Sequence, residues 1–360
     1  MAIIDTYFRE LKNKGASDLH MVIGFPPLLR LHGELKPTDQ PVLTPDSNRD
    51  ILFEILDPEQ QAYLEKNRDF DMAYELGDEA RFRCNFFYQQ RGISAVFRII
   101  PTTILTLEQL QLPPVLKNIA LLKQGLVLVT GPTGSGKSTT LAALIDYINE
   151  NRDAHVITIE DPLEFVHRNK RCLFTQREIG SHARSFGDAL RVASRENPDI
   201  ILVGEMRDLE TISLALTCAE LGILVFGTVH TNSAPKTIDR IINAFPSEQQ
   251  EQTRTMLAES LKAVVAQQLL RTKDGTGRCA ANEILVGSPA LASMIREGKI
   301  SQINSLMQTG SGSGMQTMDQ HLMQLIKNNV ITPQAAYEKA IDKNIFLSLI
   351  QDSPLTRQPA

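Results

Sequence analysis

From residue 125 onward the apolar positions fall into short runs, at 126–129, 156–159, 200–203 and 224–227, separated by longer stretches with helical spacing. Buried runs of that length alternating with helices predict a parallel sheet covered on both faces. Two helix starts support this: Ser185 with Asp188 and Ser247 with Gln250 both have capping-box spacing. Upstream the period changes. Residues 3–14 read as one helix, Thr44-Pro45 opens a second that runs to about Leu56, and alternation at 81–87 and 94–100 predicts half-buried strands. The division expected is an α+β domain over 1–100, a connector over 101–114 with three prolines, and an α/β domain over 115–360. Its last part, from about Ser288, reads as short helices, with Gly310 to Gly314 (GSGSG) as a flexible loop.

Composition narrows the classes. A chain of 360 residues with 42% hydrophobic and 22% charged residues has ordinary globular usage and length for about two domains. Lys plus Arg number 37 against 42 Asp plus Glu, a net charge of −5 that repels polyanions and argues against a nucleic-acid partner. Cys84, Cys172, Cys218 and Cys279 lie far apart with no C-x-x-C, so reduced, buried thiols in a cytosolic protein are expected. The N-terminus lacks the apolar core of a secretory signal, and the longest apolar runs are too short to span a bilayer. No direct membrane insertion is expected; membrane contact would be made through a partner.

The chemistry concentrates after the first of the apolar runs. Gly131-Pro132-Thr133-Gly134-Ser135-Gly136-Lys137-Ser138, followed by Thr139, stands between a strand pattern (LVLVT) and a helical one. This is a complete P-loop in its strand, loop, helix context. Glycines let backbone N–H groups close around phosphates, Lys137 reaches the β and γ oxygens of ATP, and Ser138 can hold Mg²⁺.

Three further runs should end on the same edge of the sheet, where ligands bind in open α/β folds. The run at 200–203 leads into Gly204-Glu205, placing Glu205 where a carboxylate orients or deprotonates the attacking water. Gly204 stands where many P-loop enzymes carry a metal-binding Asp, so the metal would lean on Ser138 and water. The run at 156–159 leads into Glu160, and that at 224–227 into His230, a pair suited to water positioning and γ-phosphate sensing. Arg81, Arg83, Arg91 and Arg98 lie on or between the N-terminal strands, with Arg81 and Arg83 on one face and Phe82 on the other. Arg191, Arg195 and Arg207 flank the acidic strand. A guanidinium from a neighbouring subunit would stabilise charge on the transferring phosphoryl group.

At these residues the chain resembles the type IV pilus retraction ATPases, the PilT family of the secretion ATPase superfamily. The resemblance spans nearly the whole chain: GASDLH at 15–20, the P-loop, ITIEDPLEF, DIILVGEMRD and GTVHTNSAPKTIDRI occur in family order. It implies a PAS-like N-terminal domain, a RecA-like ATPase domain with C-terminal helices, and a cytoplasmic homohexamer at the inner-membrane face with ATP between subunits. It implies Lys137 and Ser138 on phosphate and Mg²⁺, Glu160 on water or metal, Glu205 in catalysis and His230 as γ-phosphate sensor. Arg83 and Arg98 best match the family's N-domain arginines, with Arg195 and Arg207 as further candidates. The implied partners are a pilus platform protein and a paralogous retraction ATPase. Two departures stand out. ALASMIRE at 290–297 replaces the family's AIRNLIRE, and AELGI at 219–223 replaces AETGH; 264–277 resembles the accessory paralogue (PilU) as much as PilT. The alternatives are an accessory or scaffold subunit and an assembly ATPase of a pilus or type II secretion system.

Overall fold

The computed structural model describes residues 2–31, 33–77, 79–100 and 103–351. It divides into two compact units, 1–103 and 104–360.

The first unit contains helices α1 (Ile3–Asn13), α2 (Pro45–Phe53) and α3 (Pro58–Asn67) and strands β1 (Asp18–Met21), β2 (Leu28–Leu31), β3 (Glu34–Pro37), β4 (Asp69–Leu76), β5 (Ala80–Gln89) and β6 (Gly92–Ile100). The strands form one antiparallel sheet in the order β3-β2-β1-β6-β5-β4. Thr44 caps α2 through a capping box with Ser47, as its Thr-Pro signal predicts, although the helix stops at Phe53 rather than Leu56. Asp57 caps α3 in the same way, an Asp-Pro start that the sequence also carries. The alternation in β5 sends Phe82, Cys84 and Phe86 into a core with Ile4, Phe8 and Leu11 of α1. Phe8 stacks on Phe82 at 4.1 Å and meets Phe97 edge-on at 5.0 Å. The opposite face carries polar side chains, Arg83 among them.

The second unit contains strands β7 (Gly125–Thr130), β8 (His155–Glu160), β9 (Leu173–Glu178), β10 (Ile200–Val203), β11 (Leu224–Val229), β12 (Leu261–Arg271) and β13 (Arg278–Val286). Its helices are α4 (Val115–Ala120), α5 (Lys137–Asn151), α6 (Phe186–Ala193), α7 (Leu209–Glu220), α8 (Ala234–Ile242), α9 (Gln250–Ser260), α10 (Pro289–Arg296), α11 (Ile303–Thr309), α12 (Met318–Lys327), α13 (Pro333–Lys339) and α14 (Asn344–Gln351). The sheet order is β13-β12-β7-β11-β10-β8-β9, parallel except for β13. Every residue of β7, β10 and β11 is buried because both faces are covered. Leu126 and Leu128 face the core built by α6 to α11, while Val127 and Val129 face α4 and α5. The chain is thus α/β with an antiparallel α+β unit before it, the expected class.

Several expectations need correction. Pro101 and Thr102 lie outside the described residues; in the rest of the connector, Leu107 and Leu112 are buried with Leu116 and Ile119 in the core beneath α5, while most of the positions around them are exposed or half-buried. The GSGSG segment is a 3₁₀ turn, not a loose loop, and a Cβ on Gly314 would stand 2.5 Å from Val115. Ser185 caps α6 as expected, whereas Ser247 opens a 3₁₀ turn and α9 starts at Gln250 without a side-chain cap. The β12–β13 hairpin and β9 escape a reading based on short apolar runs, because buried Gln267, Asn282 and Glu283 interrupt the pattern. The β-branched pair at 264–265 and the KDGTG turn at 273–277 are the signals for the hairpin. All four cysteines are free and buried. Among the described residues, no helix is long and apolar enough to cross a membrane.

Candidate active site

The site forms where β7, β11, β10 and β8 end. Gly131 to Gly136 link β7 to α5 in backbone conformations open to glycine, with φ of +148° at Gly131, +77° at Gly134 and +84° at Gly136. The turn leaves the first N–H groups of α5 without helical partners, the standard anion cradle. Lys137 Nζ donates to the carbonyls of Gly131 at 2.9 Å and Pro132 at 3.1 Å, which holds the ammonium over the loop. Burial lowers the pKa of Lys137, and the nearby charge of Glu205 works against that shift. Ser135 Oγ is buried within the loop with no hydrogen-bond partner. A phosphate oxygen is the natural partner for such a hydroxyl.

Glu205 follows β10 directly. Its Oε1 accepts a hydrogen bond from Arg207 Nε and lies 2.8 Å from Nε2 of His230, just past the end of β11. Burial acts to raise the Glu205 pKa, but its bonds from Arg207 and the charges of His230 and Arg207 outweigh burial and hold it below the ordinary carboxylate range. Glu205 is therefore ionised at neutral pH. Thr228 Oγ1 donates to the carbonyl of Gly204 at 2.5 Å and Met206 N to the carbonyl of Thr228 at 2.9 Å, which locks the two strand ends together.

Glu160, the last residue of β8, is the opposite case. It is almost wholly buried, and burial pushes its carboxyl up to about 7. The Glu164 amide donates to its Oε2 at 3.2 Å. A Cβ on Gly204 would meet Glu160 Cα at 3.2 Å and Cγ at 3.4 Å. The missing side chain at 204 is thus what lets Glu160 lie against the end of β10. Two carboxylates with pKa values driven apart divide naturally into an ionised base and a group near its titration point. Strands β8 and β11 are not neighbours, as β10 lies between them, so Glu160 and His230 flank Glu205 from either side.

Of the candidate arginines, Arg207 is in the cluster. Arg195 lies in the segment that leads into the start of β10, whereas Glu205 lies past its end, so Arg195 does not join the site of its own chain. Arg191 pairs with Asp188 and Glu210. In the first unit Arg83 and Arg98 are register partners across β5 and β6 and share one face. Arg98 Nε donates to buried Asp18 at 2.7 Å, while Arg83 approaches Asp71 only at 3.9 Å. Ser138 and Glu160 offer oxygen donors, the chemistry that a hard cation such as Mg²⁺ takes.

The sequence reading missed the residue beneath the loop. Gln267 of β12 donates from Nε2 to the Ser135 carbonyl at 2.7 Å and accepts from Thr140 Oγ1 at 2.8 Å. The Gln267-Gln268 pair that interrupts the apolar stretch of β12 is the signal that could have found it.

Comparison with known proteins agrees with this geometry. The family model described as type II/IV secretion system protein matches residues 2–348. The chain is 50% identical to the type IV pilus retraction ATPase PilT of Pseudomonas aeruginosa over 91% of this chain and 95% of that protein. It is 40% identical to the type IV pilus ATPase PilU of the same organism over 95% and 90%. The crystal structure of a pilus retraction motor PilT with bound ADP superposes with a TM-score of 0.90 at 44% identity, covering 96% of this chain and 98% of that one. The chain belongs to the type II/IV secretion system protein family and, within it, to the type IV pilus retraction ATPases.

Proposed function

We propose that this chain hydrolyses ATP to drive retraction of a type IV pilus. The observation that carries the reading is Glu205, held ionised at the end of β10 between His230 and Arg207 and within electrostatic reach of the P-loop Lys137. Glu205 orients a water for in-line attack on the γ-phosphorus and takes its proton as the bond to the β–γ bridging oxygen breaks. His230, hydrogen-bonded to Glu205, holds the carboxylate in place and reports on the γ-phosphate. Lys137, Arg207 and the loop amides stabilise charge on the transferring group. Mg²⁺, held by Ser138 and the nucleotide with Glu160 nearby, would neutralise charge on the β and γ oxygens.

The working form we infer is a cytoplasmic homohexamer at the inner-membrane face, acting through a pilus platform protein. Arg83 and Arg98 would approach the nucleotide of a neighbouring subunit, and Arg195 would act across such a boundary as well. A nucleotide bound between subunits would favour one arrangement of the ring as ATP and another as ADP, which is how turnover would become mechanical work. The alternative, an accessory subunit akin to PilU, rests on the altered 290–297 signature in α10; the higher identity to PilT favours the motor.

The test is ATP turnover by the purified chain with Mg²⁺, beside Glu205→Gln, with solution mass recorded at the same concentrations. Hydrolysis by a hexamer that the substitution lowers by about a hundredfold or more supports the motor. A folded, ATP-binding hexamer with no turnover would sink the reading and leave an accessory subunit.

A further inference from the structure

The antiparallel β12–β13 hairpin places buried polar side chains beside the parallel core, and the mechanism above uses none of them. Gln267 is 2% exposed. Its Nε2 donates to the Ser135 carbonyl at 2.7 Å, and its Oε1 accepts from Thr140 Oγ1 at 2.8 Å and from Asn282 Nδ2 at 2.9 Å. Both ends of the phosphate loop lean on the same residue. A Cβ on Gly131 would stand 2.3 Å from the Gln267 carbonyl, and one on Gly136 2.9 Å from its Nε2. Asn282 is the register partner of Gln267 on β13, and its N–H donates to Nδ1 of His321 in α12 at 2.8 Å. Gln316, just before α12, donates to the Asn282 carbonyl at 2.8 Å. His321 is buried as neutral imidazole, its pKa driven down to about 4 by burial, so Nδ1 stays an acceptor. A continuous hydrogen-bonded path therefore joins the phosphate loop to the C-terminal helices.

We propose that Gln267 is a positioning residue of the phosphate loop, and that Asn282 and His321 extend its hold to α12, so that the packing of the C-terminal helices sets nucleotide affinity. The loop binds phosphate through backbone N–H groups, and those amides are only as well aimed as the peptide that carries them. Ser135 supplies that peptide, and Gln267 fixes its carbonyl from below. Misplacement of such groups by a fraction of an ångström is felt in both binding and rate. The proposal rests on the nucleotide site described above and adds to it a route by which a partner on the C-terminal helices would be felt at the phosphates.

The test uses the full chain, with the Kd for a fluorescent ADP analogue, KM and kcat for ATP, and amide exchange over residues 131–140. Gln267→Met keeps the volume and removes the bonds; its Kd should rise about tenfold and the loop amides should exchange faster. His321→Phe, distant in sequence from the loop, should move the same amides and raise Kd about threefold. Asn149→Leu is the control. Asn149 is equally buried in α5 and bonds Arg168, Lys170 and Cys172, so its loss should lower the melting temperature and leave Kd unchanged. A folded Gln267→Met with wild-type Kd and exchange overturns the proposal, as does an Asn149→Leu effect on Kd of the same size. Should Gln267→Met not fold, Thr140→Val decides: it removes one bond to Gln267 and should raise Kd about threefold, and an unchanged Kd again overturns the clamp. The Kd and exchange readouts need only nucleotide binding. Absence of turnover in the wild type would count against the motor, not against Gln267.

Discussion

The two sheets of this chain solve the same burial problem in opposite ways, and that difference decides where each can carry chemistry. In the first unit one face of the antiparallel sheet packs on α1, α2 and α3, and the other carries Asp18, Arg30, Arg83 and Arg98, the carboxylate buried and the guanidinium groups at least partly exposed. In the second unit both faces are covered, and every side chain of β7, β10 and β11 is committed to a core. The charged groups of the site then gather at strand ends, where Lys137, Glu160, Glu205 and His230 lie, while inside the sheet the polar positions Gln267 and Asn282 belong to the β12–β13 hairpin at its edge. A sheet with one open face offers many functional positions and fixes none of them, whereas a doubly covered sheet offers few.

The largest expected effect tests whether the two cores are separate. Phe82 is fully buried, stacks on Phe8 and belongs to the core of the first unit alone. Phe82→Ala should cost that unit about 3–5 kcal/mol. Calorimetry should show the transition of the first unit moving down in temperature while that of the second unit, and ADP affinity, stay in place. A single transition that shifts as a whole would mean that the two sheets melt as one and that the contrast between them has no energetic meaning.

The same contrast explains what could be read from the sequence. Strands β7, β8, β10 and β11 are largely apolar because they lie between two helical layers, so they and the residues that follow them were legible. Glu205, Glu160 and His230 needed no more than the rule that ligands sit past the ends of parallel strands. In the first unit β1 to β4 are short or half-exposed and carry no comparable signal. Gln267 stands out locally only as a polar residue in a strand; its role depends on Ser135 and Thr140, more than a hundred residues away in sequence, and no local pattern encodes a contact of that separation.

A smaller effect tests the division between the two carboxylates of the second unit. With a folded-state value near 7 and an ordinary value near 4.5, Glu160 keeps its proton in the folded protein where the unfolded chain has lost it. Stability attributable to Glu160 is then full below about pH 4.5 and declines as pH rises to about 7. Glu160→Gln removes that penalty. The variant should match the wild type near pH 4.5 and exceed it by about 2–3 kcal/mol at pH 8, read from denaturant midpoints, while ATP turnover falls. A stability difference that does not change with pH would place the proton elsewhere and remove the distinction between Glu160 and Glu205.

The smallest effect separates the two arginines that share the open face of the first sheet. Arg98 is 69% exposed, but its partner Asp18 is only 4% exposed. Burial acts to raise the Asp18 pKa, yet bonds from Ser17 and Arg98 hold it below its ordinary value. Arg98→Ala leaves that carboxylate with Arg30 at 3.7 Å and the Ser17 hydroxyl at 2.7 Å, so the loss, discounted for solvent screening, should be about 1 kcal/mol at pH 7. Because a depressed carboxylate stabilises only above its unfolded pKa, the cost should fade as pH drops toward 3. Among the described residues the ion-pair approach of Arg83 is that to exposed Asp71 at 3.9 Å, and Arg83→Ala should change stability by no more than about 0.5 kcal/mol. A fall in ATP turnover in Arg98→Ala would therefore mix a local loss of structure with any loss of charge at a neighbouring nucleotide, whereas the same fall in Arg83→Ala could come only from the charge. If Arg83→Ala turns over like the wild type while Arg98→Ala does not, the open face acts through the Asp18 pair that shapes it, and the arginine row is structural.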